Sequence, residues 1–498
     1  MIRLEVKRGG AAARSAVMMV GRLLNEVVSF VLFSALDLLD AVLCLVFKLV
    51  DYAFESKWKP CYCSSSARDM ITSSGNILIS ESGKSKIVFL SSTKLHLEEI
   101  SDTLYSRPPL LFDISRSTIT DLRSLGFLRR SEGAAALAAA ANAKRGRKST
   151  TTTLTINSAI VEMLQGKIGG KQTQPVPRWS DCACKRCSGW CLAPSSSRVL
   201  LYAHSQYPPD GAAVEDVLFI HGFISSSSFW TETVFPNFSD TAKSRYRLFA
   251  MDLLGFGRSP KPADSLYTLR EHVDMIDRSV LQRHGVRSFH IVAHSLGSIL
   301  ALALAVKYPD AVRSLTLLAP PYFPVPKGEQ GTQYVLRRVA QRRVWPLITL
   351  GASVACWYEH ISRTVSLLMC KHHLFWESIF RFFTRNRIRT FLMEGFFCHT
   401  HNAAWHTLHN VICGTAGKIE GYLDTVRDKM PSCDVTILHG TDDDLLPVSC
   451  SSAVKARIPR ADLRVIDGKD HITIVVGRQK AFARELELIW EAANLKAK

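Results

Sequence analysis

The stretch Ile291-Val292-Ala293-His294-Ser295-Leu296-Gly297 constrains the fold of this chain more than any other. An apolar, β-branched run ends in a small residue, a histidine and a serine, and a segment rich in Ala and Leu follows. A strand that turns sharply into a helix at a serine lifts the Oγ clear of the backbone, the layout of a nucleophile elbow. Positions two before and two after that serine must be small, because a larger side chain would strike the neighbouring backbone. Gly297 meets this fully, and Ala293 stands where a glycine is more usual. A serine in a tight turn is also ordinary turn chemistry, so the surrounding sequence has to decide.

The surroundings favour catalysis. Val217-Leu218-Phe219-Ile220 reads as a buried strand and leads into His221-Gly222-Phe223-Ile224-Ser225-Ser226. Such a His-Gly turn aims a backbone N–H at a developing oxyanion, and the expected donor pair is the amides of Phe223 and Leu296. Leu248–Met251 reads as the next strand. The glycines of Asp252-Leu253-Leu254-Gly255-Phe256-Gly257-Arg258-Ser259 read as turn formers rather than substrate contacts.

A serine hydroxyl is a poor nucleophile at neutral pH and needs a base, which in turn needs an orienting acid. Val435–Leu438 is a strand opening into His439-Gly440-Thr441-Asp442-Asp443-Asp444-Leu445-Leu446-Pro447. Of the three carboxylates, Asp443 has the spacing expected of the acid, three after the glycine and four before the proline. Asp442 and Asp444 read as solvated turn or cap residues. His439 and Asp444 also spell a His-x-x-x-x-Asp pattern found in some acyltransferases, here read as coincidence because it straddles the acid turn. The base is His471, the only histidine after that turn, placed behind the strand-like Leu463–Ile466.

Together these residues resemble the α/β-hydrolase superfamily from about Arg198 to the C-terminus. A closer resemblance is to the plant bodyguard family. It rests on the Ser180–Cys187 cluster, on His221 to Trp230, and on Asp470-His471-Ile472-Thr473-Ile474-Val475-Val476-Gly477-Arg478. The resemblance implies an α/β fold with a mostly parallel central sheet flanked by helices, a helical cap, and no cofactor. It also implies a serine hydrolase of the lysophospholipase type, or an acyltransferase, acting on lipid or hydroxy-fatty-acid (cutin-precursor) esters in cuticle formation. A reading from another class is a non-catalytic receptor or scaffold that keeps the hydrolase shell; an intact Ser, Asp and His argues against it. The hydrolase core is expected over 196–320 and 432–498, with the cap over 321–431.

The chain has 498 residues, 47% of them hydrophobic, ample for a full core. Its formal net charge of +18 suits anionic lipid head groups or wall polyanions, since no nucleic-acid-binding pattern accompanies it. Residues 1–60 read as a basic and hydrophobic anchor or signal region: Arg3, Lys7, Arg8, Arg14 and Arg22 precede the apolar stretch Val27–Phe47. Its length suits a bilayer span. Asp37 and Asp40 interrupt it, each costing about 3 kcal/mol near a span's centre, so an amphipathic helix lying in the membrane interface is the rival reading. The positive flank places the catalytic part beyond the membrane, luminal or extracellular.

Region 61–195 is the least informative, with short strand candidates at Ile77–Ile79 and Lys86–Leu90. An alanine tract at Ala134–Ala141 and a basic cluster at Lys144–Lys148 read as a flexible, low-complexity insertion. Of 13 cysteines, Cys182, Cys184, Cys187 and Cys191 crowd into one loop. Their spacing lacks paired C-x-x-C knuckles, and in a secretory compartment disulfides are the favoured reading over free thiols or a metal. Asn237-Phe238-Ser239 is a glycosylation sequon, usable in a luminal chain. The cap region is rich in aromatics suited to an acyl chain. Helix-like runs appear at Tyr334–Val344 and Val354–Met369. Its histidines (His360, His372, His373, His399, His401, His406, His409) lack a metal-ligand spacing and read as ordinary cap or pocket residues, with no metal expected.

Overall fold

The computed structural model describes residues 2–55, 76–81, 84–89, 101–105, 178–182, 184, 187, 200–209, 215–262, 265–385 and 390–496. They fall into two compact units, Met1–Leu36 with Gln174–Lys498, and Asp37–Thr173. In the second unit, β1 (Asn76–Glu81) and β2 (Lys84–Phe89) pair antiparallel, with Asn76 opposite Phe89. The alanine tract and the basic cluster lie outside the described residues.

The first unit is built on a seven-stranded sheet. Its strands are β3 (Ala203–Gln206), β4 (Glu215–Ile220), β5 (Tyr246–Met251), β6 (Phe289–His294), β7 (Val312–Leu318), β8 (Asp434–Gly440) and β9 (Asp462–Ile466). They lie in the order β3-β5-β4-β6-β7-β8-β9, with only β3 antiparallel. Five of the six parallel strands are the runs read above, and the sixth, β7, coincides with the apolar run Ser314–Ala319, which the sequence also marks as a strand. Inner parallel strands are covered on both faces, so they read as unbroken apolar runs; β6 is buried at every position. The short edge strand β3 has no such run.

Chain order reverses at β4, which lies between β5 and β6, and ligands of open α/β sheets bind outside the strand C-termini at such a switch point. The loops after β4, β6, β8 and β9 all leave from that edge. On one face the elbow helix (Leu296–Lys307) packs in a large aliphatic core. On the other, Phe219 sits among Trp230, Phe235 and Trp490, with ring centroids 5.5, 4.9 and 6.2 Å away.

Between β7 and β8 the chain forms the cap. The run expected to be helical at Tyr334–Val344 is helical over Gly331–Val339 only. Beyond it the Val344 amide bonds Ser29 Oγ, and Pro346 caps the next helix, Leu347–Trp357. Val354–Met369, read as one run, is two helices broken at Tyr358, whose hydroxyl donates to the Phe33 carbonyl (3.2 Å). Helices His373–Thr384, Thr390–Phe397 and His401–Thr407 follow. Thr390–Phe397 presses on the loop after β4: a Cβ on Gly395 would lie 3.1 Å from Ser225 Cα.

Residues Ile2–Glu55 form one helix of 54 residues, of which Leu23–Phe54 is long and apolar enough to cross a membrane. Ser29, Phe33, Asp40, Cys44, Phe47 and Asp51 are buried. Their spacing of three, four and seven places them on one stripe. The opposite side exposes Phe30, Val31, Leu38, Leu39, Val42 and Val46. Asp40 therefore does not interrupt the apolar surface as the sequence suggested, because it lies on the buried stripe. Phe33 also stacks on Tyr358 of the cap at 6.3 Å.

Truncating a fully buried aromatic removes its apolar contacts and leaves a cavity. Phe219→Ala should therefore lower unfolding free energy by about 3–5 kcal/mol, read as a shifted denaturant midpoint. An unchanged midpoint would show that this face of the sheet does not hold the core.

Candidate active site

Ser295 lies between β6 and the elbow helix at φ 51°, ψ −120°, a strained conformation for a residue with a Cβ. Its amide donates to the Leu318 carbonyl at 2.8 Å, extending the β6–β7 ladder one step past the strand. The glycine two residues after Ser295 is required, as the sequence suggested, and so is Gly222 in the loop after β4. A Cβ on Gly297 would lie 2.7 and 2.8 Å from the Ile220 and His221 carbonyls, and one on Gly222 would lie 2.9 Å from His294 Nδ1 and 3.2 Å from Ser295 Cβ.

The loop after β4 is thus brought against Ser295, and with it the expected oxyanion donors. Leu296 is the first residue of the elbow helix, where backbone N–H groups have no intrahelical acceptor. Phe223, next to Gly222, is half-buried, its ring edge-on to Phe256 at 5.9 Å. Among the described residues neither amide is bonded to a backbone carbonyl.

Asp443 and His471 meet: His471 Nδ1–H donates to Asp443 Oδ2 at 2.7 Å, which puts the ring's lone pair on Nε2. Burial works against the charge of Asp443. Hydrogen bonds from His439 and His471, with the Leu446 amide, more than offset that and hold its carboxyl well below the usual carboxylate range. Asp442 and Asp444 are exposed. Gly440 allows the two loops to touch, since a Cβ there would collide with the Lys469 carbonyl.

Three histidines at strand ends support these groups in roles the sequence did not reveal. His294 Nε2–H donates to the His471 backbone carbonyl (2.9 Å), tying the base loop to the residue before Ser295. Burial, then the nearby His471, pushes His294 down to about 3, so its ring is a neutral donor. His221 Nε2 accepts from the Leu253 amide (2.9 Å), so its Nδ1 carries the proton toward the Gly222 carbonyl (2.7 Å). His439 bonds the Leu446 carbonyl and Ser451 Oγ and lies 3.4 Å from Asp443 Oδ2. His439 thus faces Asp443, while Asp444 is exposed. The only signal in the sequence was a polar, hydrogen-bonding residue closing an apolar strand.

The Asp252 loop bears out the structural reading of its glycines. Asp252 accepts from the Ser227 and Arg258 amides, and Gly255 and Gly257 have φ of 88° and 51°. The sequon has a structural use, since Asn237 Nδ2 donates to the Thr233 carbonyl and Ser239 caps a helix. The disulfide expectation fails among the described residues. Cys182, Cys184 and Cys187 are free thiols, converging with His373, a cap histidine read as ordinary; Cys191 lies outside the described residues.

Removing one partner of a buried, hydrogen-bonded charge strands the other groups. Asp443→Ala should cost about 3–5 kcal/mol of stability, whereas Asp442→Ala and Asp444→Ala should stay within about 0.5 kcal/mol. Because the folded-state value of Asp443 lies below its ordinary 3.8, its contribution is complete above that pH and is lost as pH falls toward the folded value. Denaturant titrations at neutral and acid pH read both. A wild-type advantage over Asp443→Ala that grew on acidification would contradict the linkage.

The fold agrees with known proteins. A sequence profile of the alpha/beta hydrolase fold matches residues 217–477. The chain is 55% identical over 494 residues, covering 97% of it and 99% of the relative, to an Arabidopsis thaliana protein named Probable lysophospholipase BODYGUARD 3. It is 54% identical over 480 residues to Probable lysophospholipase BODYGUARD 1 of the same plant, covering 95% and 97%. Probable lysophospholipase BODYGUARD 2 follows at 51% over 476 residues, covering 95% and 98%. This chain belongs to the α/β-hydrolase superfamily and, within it, to the plant bodyguard family.

Proposed function

We propose that the chain is a membrane-attached serine hydrolase of lipid esters, of the lysophospholipase type, with Ser295 as nucleophile. The observation that carries this reading is the His471–Asp443 hydrogen bond, on loops tied by His294 to the strained Ser295 turn. His471 Nε2 takes the Ser295 proton as Oγ attacks the ester carbonyl. The Phe223 and Leu296 amides receive the oxyanion, and Asp443 keeps the imidazole oriented and stabilises its charge. The proton then passes to the leaving alkoxide, and water attacks the acyl-enzyme with His471 again as base. Hydroxy-fatty-acid and cutin-precursor esters, and through them a part in cuticle formation, belong to the same proposal.

The lipid preference has support in the cap and the N-terminal helix. The cap exposes Trp345, Leu347, Phe375, Phe382 and Phe383, large apolar groups that a purely aqueous surface disfavours. It also rests on the N-terminal helix through Ser29 and Phe33, and that helix has an exposed apolar side of its own. The names of the relatives carry the same substrate class.

Ser295→Ala and His471→Ala should lower ester turnover by several orders of magnitude and, for Ser295→Ala, abolish labelling by a fluorophosphonate probe. Acyl chains should be favoured with length, at about 0.8 kcal/mol per buried methylene until the binding cleft is full. Equal or faster turnover of acetyl esters would sink the lipid reading while leaving the serine chemistry intact. Attachment is tested separately: Val31→Glu with Leu38→Glu and Val42→Glu should release the protein from membranes in a wash that leaves wild type bound. Retention of the triple variant would refute attachment through this helix face.

A further inference from the structure

Away from Ser295, the segment before the hydrolase core meets the cap at four metal-ligating side chains. The candidate ligand atoms of Cys182, Cys184, Cys187 and His373 all lie within 4.8 Å of one another. His373 Nε2 is 3.4 Å from Cys184 Sγ and 3.5 Å from Cys187 Sγ. One ring nitrogen has a single hydrogen or a single lone pair, so it cannot satisfy two sulfurs at once through hydrogen bonds. A tetrahedral zinc accounts for both separations. With Zn–S near 2.3 Å and Zn–N near 2.0–2.1 Å, the S···N edge of the tetrahedron is about 3.5–3.6 Å.

The surroundings are those of a built metal site. His373 is fully buried, and its Nδ1 lies 3.1 Å from Oε1 of the buried Glu377. A carboxylate there fixes the tautomer that leaves Nε2 as ligand and raises its basicity, as outer-shell carboxylates do for zinc-bound histidines. The amides of Cys184 and Cys187 point at the sulfurs of Cys182 and Cys184, at 3.5 and 3.4 Å, donors that stabilise thiolates. The segment is held from outside as well, since Lys371 Nζ donates to the Trp179 carbonyl (2.7 Å) and Arg363 bonds Ser180 Oγ. A disulfide explains less, because three sulfurs leave one over and give His373 no role.

We propose that Cys182, Cys184, Cys187 and His373 bind one structural zinc ion that pins the segment before the core to the cap helix His373–Thr384. Four protein ligands fill a tetrahedron and leave no open position, so the site is structural rather than catalytic. The C-x-C-x-x-C spacing supplies three ligands from one turn of chain, and the fourth arrives from 186 residues away. The ion would thereby close a long loop and hold the cap down at a point remote in sequence from the hydrolase strands. This inference does not depend on the assignment of Ser295.

The experiment uses the full chain, purified in detergent under reducing conditions without chelator, with metal content measured by elemental analysis. One zinc per chain is expected, released in step with mercurial titration of its thiols. Replacement by cobalt should give the intense near-ultraviolet thiolate-to-metal band and the visible bands of a tetrahedral site. Cys187→Ser and His373→Gln should each lower retained zinc at least tenfold, and Cys433→Ser, a buried cysteine outside the cluster, should retain it. If those two variants fail to fold, the wild-type stoichiometry and the cobalt spectrum still decide. Wild-type protein that stays metal-free after equilibration with micromolar zinc would overturn the proposal. So would a Cys182–Cys187 or Cys184–Cys187 disulfide found by peptide mapping of the native protein.

Discussion

One hydrogen bond beyond the end of a strand sets the conditions for everything at this site. Strand β6 pairs with β7 up to His294 opposite Leu318, and the Ser295 amide then takes the Leu318 carbonyl although its residue has left strand geometry. A non-glycine residue at φ 51° costs on the order of 1–3 kcal/mol, and persists only where its surroundings leave no alternative. Here the alternatives are closed on two sides. The helix that starts at Leu296 is packed on all its inner positions, and Gly297 runs so close to the Ile220 and His221 carbonyls that no side chain fits. Strain at Ser295 is therefore supported by the adjacency of β4, β6 and β7, and that same adjacency delivers Phe223.

The second ordering device is a histidine closing each of three parallel strands. A strand C-terminus buried under loops has carbonyls and amides to satisfy and little water to do it. An imidazole offers one donor and one acceptor on a rigid ring, so it bonds two loops at once. His221 joins the turn after β4 to the Leu253 amide after β5. His294 joins the end of β6 to the loop of His471. His439 joins the end of β8 to Leu446 and reaches Asp443. Each ring links segments that the sheet alone leaves unconnected, so the four site loops hold one another rather than standing separately. Phe229 stacked on His294 at 5.2 Å removes the remaining freedom of that ring.

The sequence was most legible where burial is continuous. The parallel strands and the tight turn at Ser295 follow from patterns within some ten residues, and spacing alone singles out Asp443, which the fold brings to His471. What escaped were partnerships across the chain. His294 and His471 are 177 residues apart, and Cys184 and His373 are 189 apart. No local period marks either pair. The cysteine run alone reads unlike a metal site because it lacks two paired knuckles, whereas the fold brings His373 to it from the cap. Helix limits in the cap failed for a related reason: Val344 and Tyr358 bond the N-terminal helix instead of continuing their own. Tertiary partners had overridden local propensity.

That last substitution changes how the N-terminal helix has to be understood. Considered alone, two aspartates in an apolar stretch make a poor membrane span, since their cost cancels what the leucines, valines and phenylalanines return. The fold sorts these residues by face. The stripe through Ser29, Phe33 and Asp40 is buried, with Ser29 and Phe33 engaged by the cap, and the stripe through Val31, Leu38 and Val42 is left outward. A summed hydropathy treats the two stripes as one surface and so understates the outward one. For a helix already docked on protein, the relevant quantity is the apolarity of its uncovered face, and that face carries no acid among its exposed residues between Val27 and Val46. Ser29 and Phe33, on the buried stripe, are the positions through which the helix serves as a platform for the cap.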